Sequence, residues 1–282
     1  MVKVNNSIFG SEHFGNNETI FKDVRLNDTI NTITLNFESN EDITTLIFAV
    51  EYIKDEKPDS KINLIMPYIP YSGMDRKIND QVFSLKLFAR IINKLNFNAI
   101  LSLDVHNMEV AKQLFGSSLN FIPVGRFIQD VIDGFKPDVI HFPDEGAMKR
   151  YPEMINLKGI PYTYGIKKRD LNDKGKIVGY EVKTNGIELM GKKVLIVDDI
   201  CRRGGTFVGA SNALSELGAY DIGLYVSHCE EGIWQGDIFK EGSKITTVYT
   251  TDSEPAFRDT NRTRFNMYEA MGSIKVYNVI EN

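Results

Sequence analysis

Two cysteines in 282 residues, Cys201 and Cys229, are too few for a disulfide framework. Each reads as a small buried residue, and the reducing cytoplasm is the compartment that suits such usage. No apolar run approaches the ~20 residues that a bilayer-spanning helix needs, so no membrane is expected as a partner. The opening stretch, MVKVNNSIFGSEHFGNNE, has neither the basic start nor the apolar middle of a signal peptide. An excess of positive charge is also missing: 33 Lys and Arg stand against 38 Asp and Glu, a net charge of -5. Nothing in that balance asks for nucleic acid or an anionic surface. Anionic small molecules stay open, because local clusters bind them and bulk charge does not. Low-complexity tracts are absent as well.

What is present is alternation. Short apolar runs rich in Ile, Leu and Val predict strands at Thr32–Phe37, Lys61–Met66, Ala99–Asp104, Val139–Phe142, Lys193–Val197, Ile222–Ser227 and Ile245–Tyr249. Amphipathic stretches between them predict helices at Ile43–Lys54, Gln81–Leu95, Met108–Leu114, Val124–Gly134, Gly146–Tyr151 and Thr206–Leu217, the last stopped by Gly218. Strand and helix in repetition give an α/β fold with mainly parallel sheets flanked by helices. The length suggests two domains at ~100–200 residues each. The halves look alike, and the expected boundary places residues 1–124 in one and 125–282 in the other, meeting at a cleft near Pro123–Arg126. The polar, glycine-punctuated stretch Lys167–Gly179 reads as a mobile loop or a hairpin. The tail GSIKVYNVI reads as a final strand.

The segment VLIVDDICRRGGTF, Val194 to Phe207, carries the most chemistry. A buried strand ends in Asp198 and Asp199; Arg202, Arg203, Gly204, Gly205 and Thr206 follow, and then a helix. Ligands of open α/β sheets sit at the carboxyl ends of strands. Glycines let backbone N–H groups approach an anion, and a helix N-terminus adds donors and a favourable dipole. The acid pair can hold ribose hydroxyls, or a cation through water. The bland alternative is a strand–turn–helix with surface acids.

This segment resembles the sugar-phosphate loop of phosphoribosyltransferases and of ribose-phosphate diphosphokinases (PRPP synthetases). Three further segments resemble the diphosphokinases in particular. LIMPYIPYSGMDRKINDQVFSLKLFARIINKL matches through Pro67, Tyr68, Tyr71, Asp75, Arg76 and Lys77; LSLDVHN matches through Asp104 and His106; HFPDEGAMKRY matches through Asp144, Gly146, Lys149 and Arg150. Two weaker matches are HFGNNE, with Phe14, Asn16 and Glu18, and GIKKRD, with Lys168 and Arg169.

The resemblance implies two similar phosphoribosyltransferase-like domains, the last strand returning to the first of them. It implies transfer of diphosphate from ATP, with Mg²⁺, to the anomeric hydroxyl of ribose 5-phosphate or a 5′-phosphoribosyl compound. It assigns ATP to Phe14, Asn16, Glu18, Asp75, Arg76 and His106, metal to His106 and Asp144, the sugar phosphate to Asp144, Asp198, Asp199, Arg202, Arg203, Gly204, Gly205 and Thr206, and catalysis to Lys168 and Arg169. The adenine loop would act on a neighbouring subunit's ATP, implying at least a homodimer. There are departures. Gly73 and Met74 replace the family's Arg-Gln, and Arg202 and Arg203 replace an acid and a threonine. Unit charges ~4 Å apart interact by ~4 kcal/mol at an effective dielectric of ~20, so two added arginines favour a more anionic acceptor. ADP-ribose, whose activated form could serve NAD⁺ resynthesis, fits that demand. A phosphoribosyltransferase that consumes the activated sugar, and a non-catalytic regulatory relative, are the competing classes.

Overall fold

A computed structural model of the chain describes residues 1–157, 159–170, 176–255, 269 and 271–279, which fall into two compact units, Met1–Ile122 and Pro123–Asn282. Among the described residues no helix is long and apolar enough to cross a membrane.

The first unit opens with short strands β1 (Val2–Val4), β2 (Ser7–Ile8), β3 (Glu12–His13) and β4 (Thr19–Ile20). Then come β5 (Ile30–Leu35), α1 (Glu41–Glu56), β6 (Lys61–Ile65), α2 (Ser84–Lys94), β7 (Ala99–Leu103), α3 (Met108–Phe115) and β8 (Leu119–Ile122). The main sheet has the order β2-β1-β5-β6-β7-β8. β5 to β8 run parallel, while β1 is antiparallel to its neighbours; β3 and β4 form a separate hairpin. The helices pack by period: α2 buries Leu85, Phe88, Ala89 and Ile92, spaced at three and four residues, as a one-faced helix must. These side chains join Leu46, Val50 and Ile53 of α1 and Ile33 and Leu64 of the sheet in one core.

The second unit comprises α4 (Gly125–Phe135), β9 (Val139–Phe142), α5 (Glu145–Arg150), β10 (Tyr162–Asp170), β11 (Lys176–Lys183), β12 (Lys193–Cys201), α6 (Gly205–Glu216), β13 (Asp221–Cys229), β14 (Ile245–Thr251) and β15 (Ile274–Tyr277). Its sheet order is β11-β10-β9-β12-β13-β14-β15, with β11 alone antiparallel. Val194 to Val197 and Ile222 to Cys229 are buried throughout, as parallel strands covered on both faces should be.

Three features of the second unit bear on the expectations above. The final strand does not return to the first unit: β15 continues the second unit's own sheet, pairing parallel with β14 through Val248–Ile274 to Thr251–Tyr277. The acid pair does not follow a strand but lies within one, because β12 runs on to Cys201 and stays paired with β13 there. The backbone on either side of residues 171–175 forms a hairpin, β10 with β11.

Candidate functional site

In the second unit, β9 and β12 lie side by side, yet β9 leads to β10 on one side and β12 leads to β13 on the other. That reversal marks the carboxyl ends of the two strands as the place where a ligand of such a sheet would sit. Both deliver acids to it. Asp144 follows β9 and caps α5, its Oδ1 accepting the Ala147 amide at 3.0 Å. Its Oδ2 accepts from Lys167 Nζ at 2.9 Å. From β12, Asp198 accepts the Asp199 amide at 3.0 Å, and Asp199 meets Arg150 Nη1 at 3.5 Å. Arg150 is braced in turn over the Tyr151 ring, its carbon 4.8 Å from the centroid.

These acids sense one another. Burial, then the charges of Asp199 and Asp144, push the Asp198 carboxyl well above the ordinary carboxylate range, against a smaller pull from Lys167. Burial also pushes Asp144 upward, but the Ala147 amide and Lys167 together outweigh it and leave Asp144 below its ordinary value. Neighbouring carboxylates driven apart in this way mark a place where a cation or polarised hydroxyls would be welcome.

The turn after β12 is shaped by its neighbours. Gly204 takes a left-handed φ of 79°, and a side chain there would overlap Ile238. Gly205 and Thr206 begin α6, whose first-turn N–H groups have no carbonyl partner within the helix. The short turn Glu231–Gln235 folds over the same loop: a side chain at Gly236 would run into the Arg203 carbonyl. Arg202 Nε pairs with Glu230 Oε1 at 3.2 Å, and Arg203 Nη2 donates to Gln235 Oε1 at 3.1 Å. Burial raises the Glu230 carboxyl, and Arg202 draws it part of the way back.

The first unit gathers the other candidates at the carboxyl ends of β5, β6 and β7. Phe14, Asn16 and Glu18 form the exposed tip of the β3–β4 hairpin, where Asn16 Oδ1 accepts the Glu18 amide at 3.2 Å. That hairpin is tied to the start of α1, since His13 Nε2 and Thr19 Oγ1 each lie 2.8 Å from Glu41 Oε1. Tyr71 bonds Asn40 at the same helix end. Asp75 accepts from Asn107 Nδ2 at 2.9 Å, while Asn107 Oδ1 caps α3 through the Val110 amide at 3.2 Å. The segment holding Asp75 and exposed Arg76 is thereby fixed to the one holding buried Asp104 and exposed His106. Lys168 and Arg169 stand on β10, but their side chains lie outside the described residues.

Lys167 and Asn107 were given no role by sequence. The signal for Asn107 was available: an asparagine just ahead of a helix is a favoured cap. That for Lys167 was weaker, since nothing in KKRD tells which lysine of a strand turns toward Asp144.

A phosphoribosyl transferase domain model matches residues 111–251. A ribose-phosphate pyrophosphokinase of Pyrococcus abyssi is 27% identical over 197 residues, 69% of this chain and 66% of that relative. One from Thermococcus kodakarensis is 28% identical over 226 residues, 78% of this chain and 75% of that relative. The crystal structure of phosphoribosylpyrophosphate synthetase from Mycobacterium smegmatis superposes with a TM-score of 0.71 over 97% of this chain and 88% of that one, at 21% identity.

Two outcomes follow from the crowding and from the loop packing. A raised folded pKa means that stability is lost as pH rises from the unfolded carboxylate pKa, ~3.9, to the folded one, and the cost is gone only when pH falls back to that unfolded value. Asp198→Asn, which keeps the oxygen facing the Asp199 amide, should therefore stabilise the ligand-free protein by ~1 kcal/mol at neutral pH. Thermal melts check this: the gain over wild type should shrink as pH falls, and a lower Tm at neutral pH would contradict the crowding. Gly236→Ala should cost ~1–3 kcal/mol by pressing on the Arg203 carbonyl; an unchanged denaturation midpoint would show that the loop can give way freely.

Proposed function

Because this chain belongs to the phosphoribosyl transferase domain family, in its ribose-phosphate diphosphokinase branch, we propose that it moves diphosphate from ATP onto the anomeric hydroxyl of a 5′-phosphorylated ribose. The observation that carries this reading is the acid cluster, where Asp144, Asp198 and Asp199 share one neighbourhood with Lys167 ahead of the glycine turn that starts α6. Such a pairing of carboxylates with a backbone cradle suits a sugar that carries hydroxyls at one end and phosphate at the other.

In this reading the C1 oxygen attacks the β-phosphorus in line. The bond from that phosphorus to the α–β bridging oxygen breaks, AMP leaves, and the hydroxyl proton passes to solvent. Phosphoryl transfer of this kind asks for positioning and charge neutralisation rather than covalent help. Asp144, Asp198 and Asp199 orient the sugar hydroxyls. The turn from Arg202 to Thr206 holds the 5′-phosphate through backbone N–H groups. Lys168 and Arg169 neutralise charge on the β-phosphate and the leaving oxygen. Phe14, Asn16, Glu18, Asp75, Arg76 and His106 serve ATP; the exposed Phe14 tip suits contact with the nucleotide of a second copy, giving at least a dimer.

Mg²⁺ fits the donor set. The three acids offer hard oxygens, and His106 suits a phosphate or an outer contact better than an inner one. Among the described residues no group of three or more His, Cys, Asp or Glu side chains is placed to hold a metal ion, so waters and substrate phosphates would have to complete its coordination. When bound, Mg²⁺ would neutralise phosphate charge and polarise the attacked phosphorus.

ADP-ribose is a second acceptor with one observation in its favour. Arg202 is balanced by Glu230, but Arg203 is bonded to the neutral Gln235, so one added positive charge stays at the loop.

Incubation with ATP and Mg²⁺ is expected to release AMP with ribose 5-phosphate or ADP-ribose. Consumption of the activated sugar and a base without ATP would make it a transferase instead, and no turnover would indicate a non-catalytic relative. Lys168→Ala should lower kcat by ~100-fold with a smaller effect on KM; an unchanged kcat would remove Lys168 from the chemistry. Arg203→Thr should raise KM for ADP-ribose about tenfold more than for ribose 5-phosphate, and equal effects would exclude the diphosphate preference.

A further inference from the structure

We infer that Tyr180 is a positioning residue for the proposed transfer, holding the β10–β11 hairpin and the Pro143–Asp144 backbone in one fixed arrangement through buried His141; this rests on the function proposed above. His141 is fully buried on β9. Its Nδ1 lies 2.8 Å from Thr163 Oγ1 on β10, and its Nε2 lies 2.7 Å from the Tyr180 hydroxyl on β11. The Tyr180 hydroxyl also donates to the Pro143 carbonyl at 3.1 Å.

The protons can be assigned. Tyr180 has one, and it goes to Pro143. His141 Nε2 must then carry a proton and donate it to the Tyr180 oxygen, which leaves Nδ1 to accept from Thr163. The result is a one-way chain, Thr163 to His141 to Tyr180 to Pro143, with the neutral ring as its middle. Burial alone lowers the His141 pKa to about 3, so the ring keeps this form at any ordinary pH.

The reach of Tyr180 is unusual for a sheet. β11 pairs with β10 and not with β9, so the tyrosine must cross β10 to touch β9. It crosses at Gly165, where a side chain would overlap the Tyr180 hydroxyl and crowd the Pro143 carbonyl. The missing side chain at Gly165 is the gap that admits the tyrosine. In the ladder Tyr180 stands opposite Lys167, the lysine bonded to Asp144, and Lys168 and Arg169 come next on the same strand. One hydroxyl therefore ties the residue before Asp144 to β11, the ladder partner of the strand that carries all three cations. A buried polar chain of this kind specifies one arrangement only while every member is satisfied.

The test is Tyr180→Phe, with Gly165→Ala as a second way to expel the hydroxyl. Each is compared with wild type by steady-state kinetics well below its melting temperature and by amide hydrogen exchange across residues 162–183. The expected result is a fall in kcat of about 10- to 100-fold with KM for ATP within about twofold, and exchange in the hairpin faster by about tenfold. A role in bulk stability alone would lower Tm and leave kcat intact, and that outcome overturns the inference. Unchanged exchange in both variants does so as well. If the wild type yields no AMP, the proposed function fails, and the exchange comparison still decides whether Tyr180 holds the hairpin.

Discussion

Three carboxylates held close together, one of them bonded to a lysine and one facing an arginine, are the constraint on which the second unit's architecture turns. Left alone, Asp144, Asp198 and Asp199 repel each other, and burial makes each charge dearer. The fold tolerates them because each has specific relief: Lys167 and an α5 amide for Asp144, the Asp199 amide for Asp198, and Arg150 for Asp199. The relief is unequal. Asp144 is held ionised, while Asp198 is left with a strong tendency to keep a proton. In the proposed function, a cation or a pair of sugar hydroxyls beside Asp198 would supply what it lacks and would favour release of its proton. The topology makes this crowding possible, because only neighbouring parallel strands whose connections leave in opposite directions bring two strand ends together without a crossover in the way.

Support for the candidate residues comes from groups outside their own number. Asn107 serves two segments of the first unit at once, capping α3 and fixing Asp75. In the second unit, the segment from Glu231 to Ile238 packs on the glycine turn so closely that a side chain at Gly204 would overlap Ile238 and one at Gly236 would overlap the Arg203 carbonyl. These contacts set backbone position, and a phosphate cradle made of N–H groups is only as good as the position of its backbone.

Much of the fold was legible in the sequence, and the reason is periodicity. Val139–Phe142 was found with its observed bounds, and the α4 and α6 helices to within a residue, because runs buried on both faces and one-faced helices leave patterns of their own. Strands without such patterns were missed. β1 to β4 have two or three residues each, and β8 is only partly buried. The acid pair ended the expected strand at Val197 because carboxylates look like punctuation. The structure carries β12 on to Cys201, because Asp198, Ile200 and Cys201 stay in register with Val226, His228 and Cys229. The last strand was misassigned by analogy; Ile274 and its neighbours find their partners in β14. The fully buried His141 could not be given partners from sequence, since Thr163 and Tyr180 lie 22 and 39 residues away.

The pair Arg202–Arg203 shows why counting charges along a sequence overstates a site. Two positive residues beside a glycine turn read as a strong demand for extra anionic charge. Folding brings Glu230 to the first of them, because Cys201 and Cys229 are ladder partners and the residues that follow each emerge together. The turn that begins there then places Gln235 at the second, where a neutral amide holds the guanidinium without cancelling it. One arginine is thus paired with an acid of the neighbouring turn, and the other keeps its charge beside a neutral amide. Any preference for a more anionic acceptor must act through Arg203 and falls off with distance in the exposed, screened surroundings of that residue. An acceptor gains from it only if its added phosphate lies within a few ångströms of the Arg203 guanidinium, a condition on the length and shape of the acceptor as well as on its charge.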